Sequence, residues 1–139
     1  MNSYKYNYIE ANPVRTFSDL NLAFTKHPLT GDVTKKTNEE AIKQSMKTLL
    51  LIGNNEKPFH PEVSGGIYDL LFENIDPDYE FLLEDRIKQV LRSHEPRIEV
   101  RKVDVKVSAD QNGFNVSIYF VIINTLEPVT LNLFLKTVR

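Results

Sequence analysis

The strongest constraint on the fold lies in residues 98–137, where apolar side chains recur at every second position in successive runs. A period of two is that of a β-strand with one buried face. Ile98 and Val100 share one phase, whereas Val103, Val105 and Val107 fall in the other. A slip of one residue would turn the whole set toward solvent, so the pattern predicts a β-bulge or a break at Arg101 and Lys102. Phe114, Val116, Ile118, Phe120 and Ile122 form the next run, and Val129, Leu131, Leu133 and Leu135, after Pro128, form the last. Asn112-Gly113 between the first two predicts a tight hairpin turn with both residues at positive φ. The expected product is a small antiparallel meander whose apolar face needs a covering layer.

That layer is predicted upstream. Thr37 and Glu40 have capping-box spacing, Ile42, Met46, Leu49 and Leu50 follow on one helical face, and Gly53 is placed to end the helix in a left-handed conformation. Glu39 and Lys43 sit one turn apart on its outer side. Residues 53–66 read as loop, and Ile67, Leu70 and Leu71 mark a short helix. A second long helix is expected from Asp76 as N-cap with Pro77 in its first turn, burying Tyr79, Leu82, Leu83, Ile87, Val90 and Leu91 and stopping before Pro96. The fold class is therefore α+β: two main helices and a short one packed on a mostly antiparallel C-terminal meander. Residues 1–16, with tyrosines at i, i+2 spacing, read as an extended N-terminal arm, and residues 17–139 as a single domain. Leu20, Leu22 and Phe24 alternate with smaller or polar residues as a short strand would, ahead of a turn at His27–Asp32.

Chemistry is sparse. The chain has no cysteine, its three histidines fall in separate elements, and no serine stands in a nucleophile-elbow pattern. No catalytic, cofactor or metal site is therefore expected. The net charge of −2, with both signs interspersed, argues against nucleic acid, and the longest apolar run is too short to cross a bilayer. Among the carboxylates, Asp76 and Asp78 suit the positive end of the second long helix, Glu84 and Asp85 its solvated face with Lys88 one turn on, and Glu73 alone lacks a structural role. Gly65-Gly66 reads as a close chain reversal rather than an anion cradle.

Four segments carry a resemblance: FSDLNLAF from residue 17, EEAIKQSMKTLLL, GNNEKPFHPEVSGGIYDLLFENI, and the Glu95-Pro96-Arg97 tripeptide between a long helix and a strand. Together they resemble the baseplate wedge family of T-even and other contractile-tailed phages, whose relatives include a type VI secretion baseplate component. The resemblance implies a non-enzymatic subunit, present in multiple copies in a symmetric baseplate, that contacts other wedge proteins and the tail sheath protein. It would join the wedge core to the first sheath ring and initiate sheath assembly by strand addition. It further implies residence in the virion tail after assembly in the host cytoplasm. A lysozyme label within the family supplies the alternative, a peptidoglycan hydrolase.

The residues themselves nominate two partner-binding groups. Pro96 makes a rigid corner with Glu95 and Arg97 on either side, and the Arg97 fork suits a carboxylate or a set of carbonyls. An internal Glu95–Arg97 pair, or a helix cap, is the other use of the same residues. Tyr119, Val121, Ile123 and Phe134 occupy the face of the sheet opposite the core-directed alternation and leave apolar surface for a partner, burial under the first helix being the other use of the same residues.

Overall fold

The computed structural model describes residues 17–53, 56, 59, 66–71 and 78–137. The arm at residues 1–16, most of the proline-containing loop, Gly65, Glu73, Asp76 and Pro77 lie outside them.

Among the described residues two antiparallel sheets and three α-helices are present, as expected for an α+β chain. A short pair, β1 (Ser18–Leu20) and β2 (Lys35–Thr37), precedes helix α1 (Asn38–Leu51), the single-turn α2 (Ile67–Leu70) and helix α3 (Tyr79–His94). The meander follows as β3 (Ile98–Ser108), β4 (Gly113–Ile122) and β5 (Pro128–Lys136), in that spatial order. The core lies between helices and meander. Ile42, Met46 and Leu50 of α1, Leu83, Ile87 and Leu91 of α3, and Phe114, Ile118 and Phe120 of β4 are all buried. The bulge falls where the change of phase requires it, with register shifting between Val100 and Lys102.

Several local expectations are corrected. The first strand covers Ser18–Leu20, not Leu20–Phe24, because Asn21 turns the chain: its Oδ1 accepts from the Ala23 N–H at 3.1 Å and its carbonyl from the Phe24 N–H at 2.9 Å. Leu22 and Phe24 are consequently exposed. Gln44 of α1 holds this segment as a strand would, donating to the Leu20 carbonyl at 2.8 Å and accepting from the Leu22 N–H at 3.3 Å. Thr37 is the N-cap of α1 but makes no side-chain cap bond. The Asn38 N–H donates to the Phe17 carbonyl at 2.6 Å, so a neighbouring backbone satisfies one of the first donors of the helix. Gly53 is not left-handed, and its N–H is taken by Glu56 Oε2 at 2.8 Å. Helix α3 starts at Tyr79 with Asp78 at the N-cap position, and Leu82 is half exposed rather than part of the buried stripe.

The first hairpin also differs. A 3₁₀ turn at Ala109–Gln111 carries the reversal, Asn112 alone is left-handed (φ 47°), and Gly113 is already in β4. Glycine is required there by close approach. A Cβ would collide with the Phe134 ring and come within 2.5 Å of the Leu135 carbonyl. Gly66, before α2, is favoured for a different reason, its left-handed backbone at φ 56°.

Candidate partner-binding surfaces

The corner after α3 is occupied from inside. Glu95 ends the helix, donating its N–H to the Leu91 carbonyl at 2.9 Å, and its side chain is only 2% exposed. Arg97 grips that carboxylate with two donors, Nε to Oε1 at 2.5 Å and Nη2 to Oε2 at 2.7 Å. The same guanidinium lies 3.6 Å from Asp19 Oδ2 and over the Phe17 ring, 5.5 Å from its centre. Burial pushes the Glu95 pKa up, but the hydrogen bonds from Arg97 and from Ser45 of α1, with the Arg97 charge, outweigh it and hold the carboxyl below its usual range. Arg97 is raised in turn, chiefly by its bond to Glu95. The tripeptide thus ties α1, β1, α3 and β3 together. The expected exposed corner is reduced to Pro96 and the outer part of Arg97, whose side chain is 23% exposed.

The meander has two edges, and they differ. On the β3 edge, the Val105 N–H donates to Glu84 Oε1 at 3.2 Å and the Val107 N–H to Glu80 Oε1 at 2.8 Å. Helix α3 therefore closes this edge with two carboxylates. Sequence patterning assigned Glu84 to a solvated face opposite Lys88, and that ion pair is present but long, at 3.9 Å. The signal for the capping role is a spacing match. Four helical residues rise about 6 Å and two strand residues about 6.6 Å, so carboxylates at i, i+4 reach amides at j, j−2.

Those bonds also fix the polarity of the ladder. Since Val105 and Val107 point away from β4, the alternation carries through the register to β5, where Leu131, Leu133 and Leu135 bond inward. The N–H groups of Thr130, Asn132 and Phe134 then face outward from the last strand. Among the described residues no strand pairs with that edge.

On the sheet's outer face the four nominated residues separate. Tyr119, Val121 and Ile123 follow one another along β4 and its end, with Val121 opposite Pro128. Phe134 lies opposite Asn115, four strand residues from Tyr119 or about 13 Å away, with its ring over Gly113. Its position is explained by packing on that glycine, so it does not extend the Tyr119–Ile123 group. His27 is also structural, its Nδ1 facing the N–H groups of Leu29 and Thr30 at 3.3 and 3.2 Å. Among the described residues no cluster of three or more potential ligands could hold a metal ion, and no helix is long and apolar enough to cross a membrane.

Comparison with known proteins places this geometry in context. The profile of the family described as baseplate wedge protein gp25 matches residues 36–127. Baseplate wedge protein gp25 of Enterobacteria phage T4 is 29% identical over 119 residues, which is 86% of this chain and 89% of that protein. A protein from Geobacter sulfurreducens, described as a candidate tail lysozyme, superimposes with a TM-score of 0.68 at 25% identity, covering 73% of this chain and 92% of that one. A chain of the anti-feeding prophage baseplate shares the fold at a TM-score of 0.68 and 24% identity, covering 78% of this chain and 87% of its own.

Proposed function

We propose, from the premise that this chain belongs to the baseplate wedge protein gp25 family, that it is a structural subunit whose β5 edge receives a strand from the first sheath ring. Family membership makes it a baseplate wedge protein of a contractile phage tail. The finer role rests on one observation, the asymmetry of the sheet edges: α3 closes β3 with Glu80 and Glu84, whereas β5 keeps a row of outward N–H and C=O groups. Such a row is a template for strand addition, in which backbone bonds supply affinity and side-chain alternation sets register. Glu95, Pro96 and Arg97 serve this role from behind, holding β3 rigidly against α1 and α3, and leave the outer side of Pro96 and Arg97 for neighbouring wedge proteins.

A hydrolase is less well supported. A glycosidase acid needs a carboxyl whose pKa is raised. Glu95, the buried carboxylate among the described residues, is shifted down and held by two arginine donors.

Asn132→Pro tests strand addition, because proline removes an outward N–H from an edge strand while the inward ladder of Leu131 and Leu133 is kept. The variant is expected to melt within a few degrees of the parent and to enter baseplates, yet to lower sheath polymerisation on them at least tenfold. Normal sheath growth on Asn132→Pro baseplates rules out the β5 edge as the receiving strand.

A further inference from the structure

Strand β1 is paired on one side only. The Phe17 carbonyl and the Asn21 N–H bond toward β2, to Asn38 and Thr34, so the alternation turns the backbone groups of Ser18 and Leu20 away from it. A single side-chain amide meets this outer edge. Gln44 of α1 donates to the Leu20 carbonyl and accepts from the Leu22 N–H, in the place of a neighbouring strand's peptide group. Among the described residues nothing does the same for the Ser18 N–H and C=O or for the Leu20 N–H. Between this edge and α1 runs an apolar groove lined by Leu20, Leu22, Leu49, Leu51 and Ile52, with Gln44 at its centre. Leu20, Leu22 and Leu51 are each more than half exposed. An open edge beside an apolar trough suits an extended segment, whose backbone bonds the edge while alternate side chains fill the trough.

The chain itself supplies such a segment at the right end. Phe17, which leads into β1, is the first described residue, and residues 1–16 precede it. Fully extended they would span about 50 Å, far more than the three residues of β1 need. A return along β1 requires a reversal, and Asn12-Pro13 is a turn-forming dipeptide. Ahead of it Tyr4, Tyr6 and Tyr8 alternate with Lys5 and Asn7. A reversal centred on Pro13 sets Tyr8, Tyr6 and Tyr4 opposite Ser18, Leu20 and Leu22, the residues whose backbone faces outward. Cross-strand neighbours share a face, so the tyrosine rings would cover the leucines that line the groove and keep their hydroxyls at its wet margin. A shift of one residue would bring Lys5 and Asn7 there instead.

We propose that the groove between β1 and α1 is the docking site of this chain's own N-terminal arm, with residues 4–8 returning antiparallel along the outer edge of β1 and displacing Gln44 from Leu20 and Leu22. Attachment at Phe17 selects the arm over the same segment of a second copy, because a short tether holds it at an effective concentration on the order of millimolar.

The chain has no tryptophan, so Tyr6→Trp in the full chain introduces a single indole as reporter. Its emission is expected to be blue-shifted, as for a buried indole, and independent of protein concentration. Adding Leu22→Glu, at an exposed position on the groove wall, is expected to return the emission to that of an indole in water. Amide exchange gives a second reading without the reporter: the Ser18 and Leu20 N–H groups of the parent should exchange at least about tenfold more slowly than those of a Tyr4→Ser/Tyr6→Ser/Tyr8→Ser variant, with exchange at Ile118 in the core unchanged. Water-like emission from Tyr6→Trp, a blue shift that survives Leu22→Glu, or equal exchange at Ser18 and Leu20 in parent and variant overturns the proposal. A blue shift that grows with protein concentration overturns it too, in favour of a second copy. Sheath protein is absent from both measurements, so failure of strand addition at β5 leaves their result intact.

Discussion

Arg97→Ala is expected to destabilise the isolated domain by about 3–5 kcal/mol, the range for removing one partner of a buried ion pair. The magnitude follows from what remains: a Glu95 carboxylate at 2% exposure, stripped of its two guanidinium donors. Arg97→Lys should recover only part of the loss, because an ammonium cannot make the bidentate fork, stack on Phe17 and reach Asp19 together. Glu95→Gln should cost less, about 1–2 kcal/mol, since the Arg97 left behind can turn toward water. Urea midpoints at neutral pH measure all three, and an Arg97→Ala variant within 1 kcal/mol of the parent would show that the pair is dispensable to the fold.

The pH dependence has a definite sign. Glu95 is held below its usual pKa in the folded chain. Its pairing therefore contributes fully above the unfolded carboxylate pKa of about 4.3 and is lost as pH falls through that value toward the folded one. In Arg97→Ala the lowering interactions with Arg97 disappear and burial remains, so the Glu95 pKa should rise above the unfolded value. The deficit of the variant should then be largest near neutrality and shrink on acidification. Parallel stability curves for variant and parent from pH 7 to pH 3.5 would contradict this assignment of charge.

The same corner shows where sequence reading stops. Pro96 announced the end of α3 and the direction change, and the alternation of Val100 against Val103 announced the bulge, because each depends on neighbours within a few residues. Whether Glu95 and Arg97 face each other or a partner depends on Phe17, Asp19 and Ser45, far away in the chain, so both uses stayed open until the elements were packed. Leu20, Leu22 and Phe24 misled for a related reason. Their alternation is that of a strand, but the Asx turn at Asn21 diverts the chain after Leu20. Phe134 shared an outward phase with Tyr119, yet phase says nothing about position along a strand, and the register sets them well apart.

Glu80 and Glu84 give the second large expected effect, and it bears directly on how one edge comes to be reserved. Replacing both with alanine leaves the Val105 and Val107 N–H groups without acceptors under α3, an expected loss of about 2–4 kcal/mol for two half-buried donors. Glutamine at both positions keeps an oxygen at the same reach, so Glu80→Gln/Glu84→Gln should lie much nearer the parent, the difference measuring only the charge assistance. Amide exchange at Val105 and Val107 should accelerate in the alanine variant and remain slow in the glutamine one. A β3 edge freed of its carboxylates also becomes a second template, so the folded alanine variant should self-associate in sedimentation experiments at concentrations where the parent is monomeric. If its exchange at these two amides and its sedimentation both match the parent, the bulk of α3 alone closes the edge, and the carboxylates are not what distinguishes the β3 edge from the β5 edge.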